Sequence, residues 1–93
     1  MYQIHYTGQF KKDLKRIKRS SAIEFELLRE MVRTIETGGH LLISSKHNPH
    51  TLKGNYSRHW ECHVLPDLLL IWLQNDSEKT IRLVRAGSHS ELF

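Results

Sequence analysis

Seven histidines stand in a chain of 93 residues, and its second half sets three of them near a carboxylate and an arginine. His50, His63, Asp67, Arg85 and His89 all fall at the ends of expected strands or in the turns beside them. In an antiparallel meander alternate strand ends come together in space, so these five can share one end of a sheet. The set suits acid–base chemistry on a phosphodiester. One imidazole takes a proton from the nucleophile, another protonates the leaving oxygen, and a guanidinium neutralises charge building on phosphate. RNA brings its own nucleophile, the 2′-hydroxyl, so the reaction needs no metal. The plainer reading of any one histidine is a half-buried ring satisfied by a backbone carbonyl.

Two histidine pairs, His47-x-x-His50 and His59-x-x-x-His63, have spacings found in zinc sites. On a strand, however, residues four apart lie about 13 Å from one another at 3.3 Å per residue, too far to share an ion. No metal and no other cofactor are expected.

The elements that must position these residues follow from periodicity. Tyr2–Tyr6 alternates loosely before Thr7-Gly8, a strand and a turn. Phe10, Leu14 and Ile17 recur at helical spacing over Gln9–Arg19. Ser20 or Ser21 then caps a second helix, with Glu24 completing a capping box on Ser21. Its apolar stripe is Ile23, Leu27, Met31 and Ile35, widened by Leu28 and Val32, and Gly38-Gly39 stops it. The two helices make an antiparallel hairpin. His40–Asn48 is a loop, and His50–Lys53 a short strand before the Gly54-Asn55 turn. From Arg58 the chain alternates, Trp60, Cys62 and Val64 one way, and His59, Glu61 and His63 the other, giving a strand with a polar working face. Leu68–Leu73 is apolar on both faces and should be a covered central strand. Thr80–Ala86 is the last strand, and Gly87–Phe93 a short tail. The class is α+β, an N-terminal strand and a helical hairpin on one face of a small antiparallel sheet completed by three to four strands. Trp60 and Trp72 read as core, and Cys62 as a small buried hydrophobe.

Residues 1–93 make one domain. No apolar run is long enough to cross a membrane, and none follows the first charges as a secretory signal requires. A single cysteine excludes an internal disulfide. A reducing, cytoplasmic setting is expected. Fourteen Lys+Arg against 10 Asp+Glu give a net charge of +4, which favours an anionic partner. The first helix concentrates that charge in Lys11, Lys12, Lys15, Arg16, Lys18 and Arg19, with Asp13 the only acid among them. Such a face is either simply solvated or a footprint for a phosphate backbone. Lys53 and Arg58 flank Tyr56 and could add to an RNA-binding surface.

Three motifs carry a family resemblance: His50-Thr-Leu-Lys-Gly54, Glu61-Cys-His63-Val-Leu-Pro-Asp67, and Arg85-Ala-Gly-Ser-His89 followed by Glu91-Leu-Phe93. Together with the opening Tyr6-Thr-Gly-Gln-Phe10-Lys-Lys-Asp13 they resemble the YafQ-type branch of the RelE superfamily over nearly the whole chain. These are toxins of bacterial type II toxin–antitoxin modules with a RelE-like, microbial-RNase-like fold. The resemblance implies a ribosome-dependent endoribonuclease that enters the A site of the small subunit of the 70S ribosome and cuts the mRNA there, leaving a 2′,3′-cyclic phosphate. By the same resemblance His50, His63, Asp67 and His89 match catalytic positions, Arg85 the phosphate-stabilising arginine, and Phe93 an aromatic that orients the substrate. It also implies a DinJ-like antitoxin as partner, through which alone operator DNA is reached. Leu68 departs from relatives that carry an aromatic there. The competing reading is a non-catalytic RNA- or ribosome-binding module. A DNA-binding regulator is disfavoured, because no helix-turn-helix pattern follows the basic helix.

Overall fold

The computed structural model describes residues Met1–Phe93. The chain opens with β1 (Gln3–Tyr6). Thr7 then caps α1 (Gly8–Ser20), its hydroxyl accepting from the Phe10 N–H. Ser21 ends α1 and starts α2 (Ala22–Gly38), its Oγ accepting from the Glu24 N–H at 3.1 Å. One residue between helices forces the antiparallel hairpin. α2 stops where Gly39 takes a φ of +67°, and a Cβ there would meet the Gln74 amide at 2.7 Å. Two 3₁₀ turns, Gly39–Leu42 and Ser45–His47, lead to β2 (His50–Thr51). A further turn, Gly54–Tyr56, precedes β3 (Trp60–Leu65), β4 (Leu68–Asn75), β5 (Thr80–Gly87) and α3 (His89–Leu92).

The five strands form one sheet in the order β1-β5-β4-β3-β2. β2 to β5 pair antiparallel, as expected. β1 does not: it pairs parallel with β5, Gln3 opposite Thr80 and Tyr6 opposite Leu83. A parallel neighbour needs a crossover, and the helical hairpin supplies one. β4 is the covered central strand, with Leu68–Trp72 buried throughout.

Both helices lie on one face of the sheet, over Phe10, Ile17, Leu28, Ile35, Leu70 and Trp72, among others. Trp72 and Cys62 are fully buried in this core, and burial pushes the Cys62 thiol up to about 12. Ile23 is not part of it and stays 75% exposed. The buried stripe of α2 is Leu28, Met31, Val32 and Ile35; at 100° per residue Ile23 points about 130° away from its axis.

The other sheet face carries a smaller core of Leu69, Ile71 and Leu92, with Leu52, Tyr56 and Val84 against it. Leu92 belongs to α3, so the expected tail is a docked helix. Ser88 and Glu91 form a reciprocal capping box at its start. This second face, away from the hairpin, is the one that displays Glu61 and His63.

Candidate active site

Strand register puts the polar residues of β2 and β3 side by side. His50 pairs directly with Glu61, and His63 lies two residues further along the same face. The Pro66-Asp67 turn brings Asp67 to the end of β3, where α3 begins with His89. The outcome is a row of three rings: His50 and His63 are 6.2 Å apart between centroids, and His63 and His89 5.7 Å. His50, His63, Asp67 and His89 therefore come together as the sequence predicts.

Asp67 is a double acceptor for His89. Its Oδ1 accepts from the His89 backbone N–H at 2.9 Å and lies 2.7 Å from the ring Nδ1. The backbone N–H first, and then the ring, hold the Asp67 carboxyl below its ordinary value. With Nδ1 turned to Asp67, Nε2 of His89 is the ring atom left for a substrate.

Glu61 is the residue that sequence reasoning missed. It is only 4% exposed, beneath the two histidines. Its Oε1 lies 3.2 Å from His50 Nε2 and 3.8 Å from His63 Nε2. Its Oε2 is buried with no hydrogen-bond partner. The signal was its alternation in phase with His63, on the face already read as polar.

Arg85 is anchored by Asp13 and also bonds the Tyr56 side chain. A bulge in the β4–β5 ladder falls between Ile71 and Trp72, opposite Arg85. Its Nε donates to Asp13 Oδ2 at 2.9 Å and a terminal nitrogen to Oδ1 at 3.3 Å. Asp13 also accepts from the Ala86 N–H at 3.0 Å, from Arg16 at 2.8 Å and from Gln9 at 3.4 Å. Burial alone would raise the Asp13 carboxyl, but the bonds from Arg85, Ala86 and Arg16 outweigh it and hold it low. The isolated acid of the basic helix is thus an internal clamp between α1 and β5. Arg16 belongs to the clamp too. It bonds the Ala86 carbonyl at 2.8 Å and Glu91 at 2.9 Å, so it is not one of the free cations of that face. Lys11, Lys12 and Lys15 are exposed, on the helix layer across the sheet from the histidine row.

Phe93 is 65% exposed and meets the Tyr56 ring edge-on at 5.7 Å. Lys53 lines the same hollow. Arg58 is at the far end of this sheet face, around a hollow shared with His5 and Arg82. The plainer reading holds for His47 and His59, whose Nδ1 atoms face the carbonyls of His63 at 2.7 Å and Ser57 at 3.1 Å.

Comparison with known proteins identifies the family. The family model described as the bacterial toxin of type II toxin–antitoxin systems, YafQ, matches residues 2–93. The mRNA interferase toxin YafQ of Escherichia coli K12 is 30% identical over 90 residues, covering 97% of this chain and 94% of the relative. A metal-bound toxin from Helicobacter pylori is 39% identical with a TM-score of 0.83 over the full length of both chains. YafQ from the E. coli DinJ–YafQ complex is 31% identical with a TM-score of 0.82, covering 100% of this chain and 99% of that one. The α+β, RelE-like architecture expected from the sequence is the one shared with these structures. The chain, matched from its second residue to its last, belongs to the YafQ family of type II toxin–antitoxin toxins.

Proposed function

We propose that this protein is a ribosome-dependent endoribonuclease that cuts mRNA in the A site by 2′-hydroxyl attack, and that a DinJ-like antitoxin holds it inactive in the cytoplasm. The observation that carries the reading is the row of His50, His63 and His89 with Asp67 bound to its outer ring. The 2′- and 5′-oxygens lie on opposite sides of the phosphorus, so attack and departure need proton-transfer groups at two separate points. Rings about 6 Å apart provide them. Phe93 offers an exposed face for a base, with Lys53 beside it for the backbone. Lys11, Lys12, Lys15 and Arg58 supply phosphate contacts to the ribosome. The chemistry asks for no metal. The K12 relative is named an mRNA interferase, and an E. coli relative was crystallised with DinJ.

The antitoxin is assigned to the helical hairpin rather than to the histidine row. A groove of about 460 Å³ runs between the hairpin and β1, lined by Tyr6, Leu14, Phe25 and Val32, with Arg29 and Arg33 at its rim. β1 is the edge strand of the sheet. An acidic, apolar segment fits such a groove, and the bulk it adds would keep the toxin out of the A site.

The test replaces His63 and His89 separately by alanine. Both variants should unfold like the wild type and cleave mRNA on translating ribosomes 10²- to 10⁴-fold more slowly. Near-wild-type cleavage by both would overturn the assignment. Wild-type protein that binds ribosomes without cutting would mark the non-catalytic module instead.

A further inference from the structure

β1 pairs with β5 only as far as Leu83. Beyond it Ala86 has no strand on that side, and two side chains of α1 take the strand's place. Asp13 Oδ2 accepts from the Ala86 N–H at 3.0 Å, and Arg16 Nη2 donates to the Ala86 carbonyl at 2.8 Å. Arg16 Nη1 donates to Asp13 Oδ1, also at 2.8 Å. The guanidinium is thus seated on two fixed groups, with Nε turned toward α3. Nε donates to Glu91 Oε2 at 2.9 Å. The other Glu91 oxygen, Oε1, accepts from the Ser88 N–H at 2.8 Å, one residue before His89. The two side chains meet over bare backbone: a Cβ on Gly87, φ +154°, would lie 2.7 Å from Arg16 and 2.8 Å from Glu91.

We infer that Arg16 and Glu91 are positioning residues for His89: the ion pair from α1 sets the rotation of α3, and with it the direction of the His89 ring. The inference rests on the endoribonuclease reading above. α3 is a single turn, His89–Leu92, too short to hold its own shape. Three of its residues are held from outside. Leu92 sinks into the smaller core, His89 meets Asp67, and Glu91 meets Arg16. The first two contacts leave the turn free to rock about the line joining them, and the third stops it. Both members of the Asp67–His89 contact are exposed, so water competes for it. The Arg16 and Glu91 side chains are 38% and 41% exposed, so their pair adds little to stability. Its effect is on orientation. The Arg16 fork is already fixed by Asp13 and Ala86, so Glu91 meets a preset partner and not a mobile one. A misplacement of about 1 Å at a reacting group can cost roughly 100-fold in rate.

The test uses Glu91→Gln and Arg16→Lys. Glutamine is as good a capping residue as glutamate, but its amide has one acceptor oxygen for two donors, so either the Ser88 or the Arg16 bond is lost. Arg16→Lys keeps the charge and loses the fork. NMR of the free protein reads the His89 ring and hydrogen exchange at the Ser88 and His89 amides. In both variants the ring signals should shift and broaden and the two amides exchange faster, while the His50 signals stay in place. Glu91→Gln should also melt within a few degrees of wild type, yet cleave mRNA on translating ribosomes with kcat lowered about 10- to 100-fold. Unchanged His89 signals in both variants overturn the inference, whatever the cleavage assay shows. A lowered melt with kcat unchanged, at a temperature where the variant is folded, also overturns it, since the pair would then be structural alone. Displaced His89 signals in both variants, with no cleavage even by wild type, uphold the positioning and count against the endoribonuclease reading.

Discussion

Replacing Asp13 by asparagine preserves shape and removes charge from the clamp beneath the site. The carboxylate accepts from five donors, and both of its oxygens are used. An amide offers one acceptor oxygen and turns an NH₂ toward the remaining donors, so at least the Arg85 Nε and Ala86 contacts, or the Arg16 contact, are lost. Asp13 is fully buried and the Arg85 side chain is 20% exposed, so little solvent compensates. Breaking a buried pair costs about 3–5 kcal/mol, a large share of the roughly 5–15 kcal/mol that holds a domain together. At about 4–8 °C per kcal/mol for a domain of this size, even the low end shifts Tm down by roughly 12–24 °C. The effect also has a pH signature. The folded state holds the Asp13 carboxyl below its unfolded value. Its stabilisation is therefore complete above the unfolded value, near pH 4, and is lost as pH falls through the lower folded value. Thermal and urea melts of wild type and Asp13→Asn should differ most above about pH 5 and converge in acid. A Tm shift of a degree or two at pH 7, or a difference constant down to pH 2, would refute the clamp.

Changing Lys11, Lys12 and Lys15 to glutamine should weaken ribosome association and flatten its salt dependence; unchanged binding would show that the face is only solvated. Arg16 is left out of that set because its loss would also break the clamp. Elemental analysis of purified protein should find no stoichiometric metal, and stripping with chelator should leave the melt unchanged; zinc at one per chain with loss of fold on removal would refute this. Hydrogen exchange with and without antitoxin should show protection on residues 9–37 and β1; protection confined to His63–Asp67 and Arg85–His89 would place the antitoxin on the histidine row. The Cys62 thiol, pushed up to about 12 by burial and the nearby Glu61 charge, should resist alkylation at pH 8 until the protein unfolds.

Local patterns carried most of the architecture. The capped hairpin (Gly8–Gly38), the alternating β3 (Trp60–Leu65) and the covered β4 (Leu68–Asn75) are each written in one continuous stretch, and all three form where periodicity puts them. The failures lie where distant residues decide. No local signal says that β1 runs parallel beside β5, or that the lone acid of a basic helix points inward to an arginine on the last strand. The direction of the Arg85 guanidinium is likewise set by the bulge and by Asp13, 72 residues away. Ile23 failed on angle alone, one apolar residue too far round the helix. α3 was legible and overlooked: Ser88-x-x-Glu91 is a capping box, and Leu92 its docking residue. Glu61 shows the deeper limit. A glutamate between histidines on a polar strand face reads as solvated, and only the cross-strand partner His50 reveals that it is covered.

The parallel pairing of β1 with β5 bears on how such a protein is made. During synthesis Gln3–Tyr6 emerges early, yet its only partner is Thr80–Gly87. Until β5 has left the ribosome, β1 has no strand to join, the clamp from Asp13 has no arginine or Ala86 amide to hold, and α3 with its histidine does not exist. His89, which completes the histidine row, is translated after all its other members. A nascent chain that has not yet released β5 and α3 therefore has neither its sheet closed nor its histidine row complete, and on the proposed reading it has no activity at that stage.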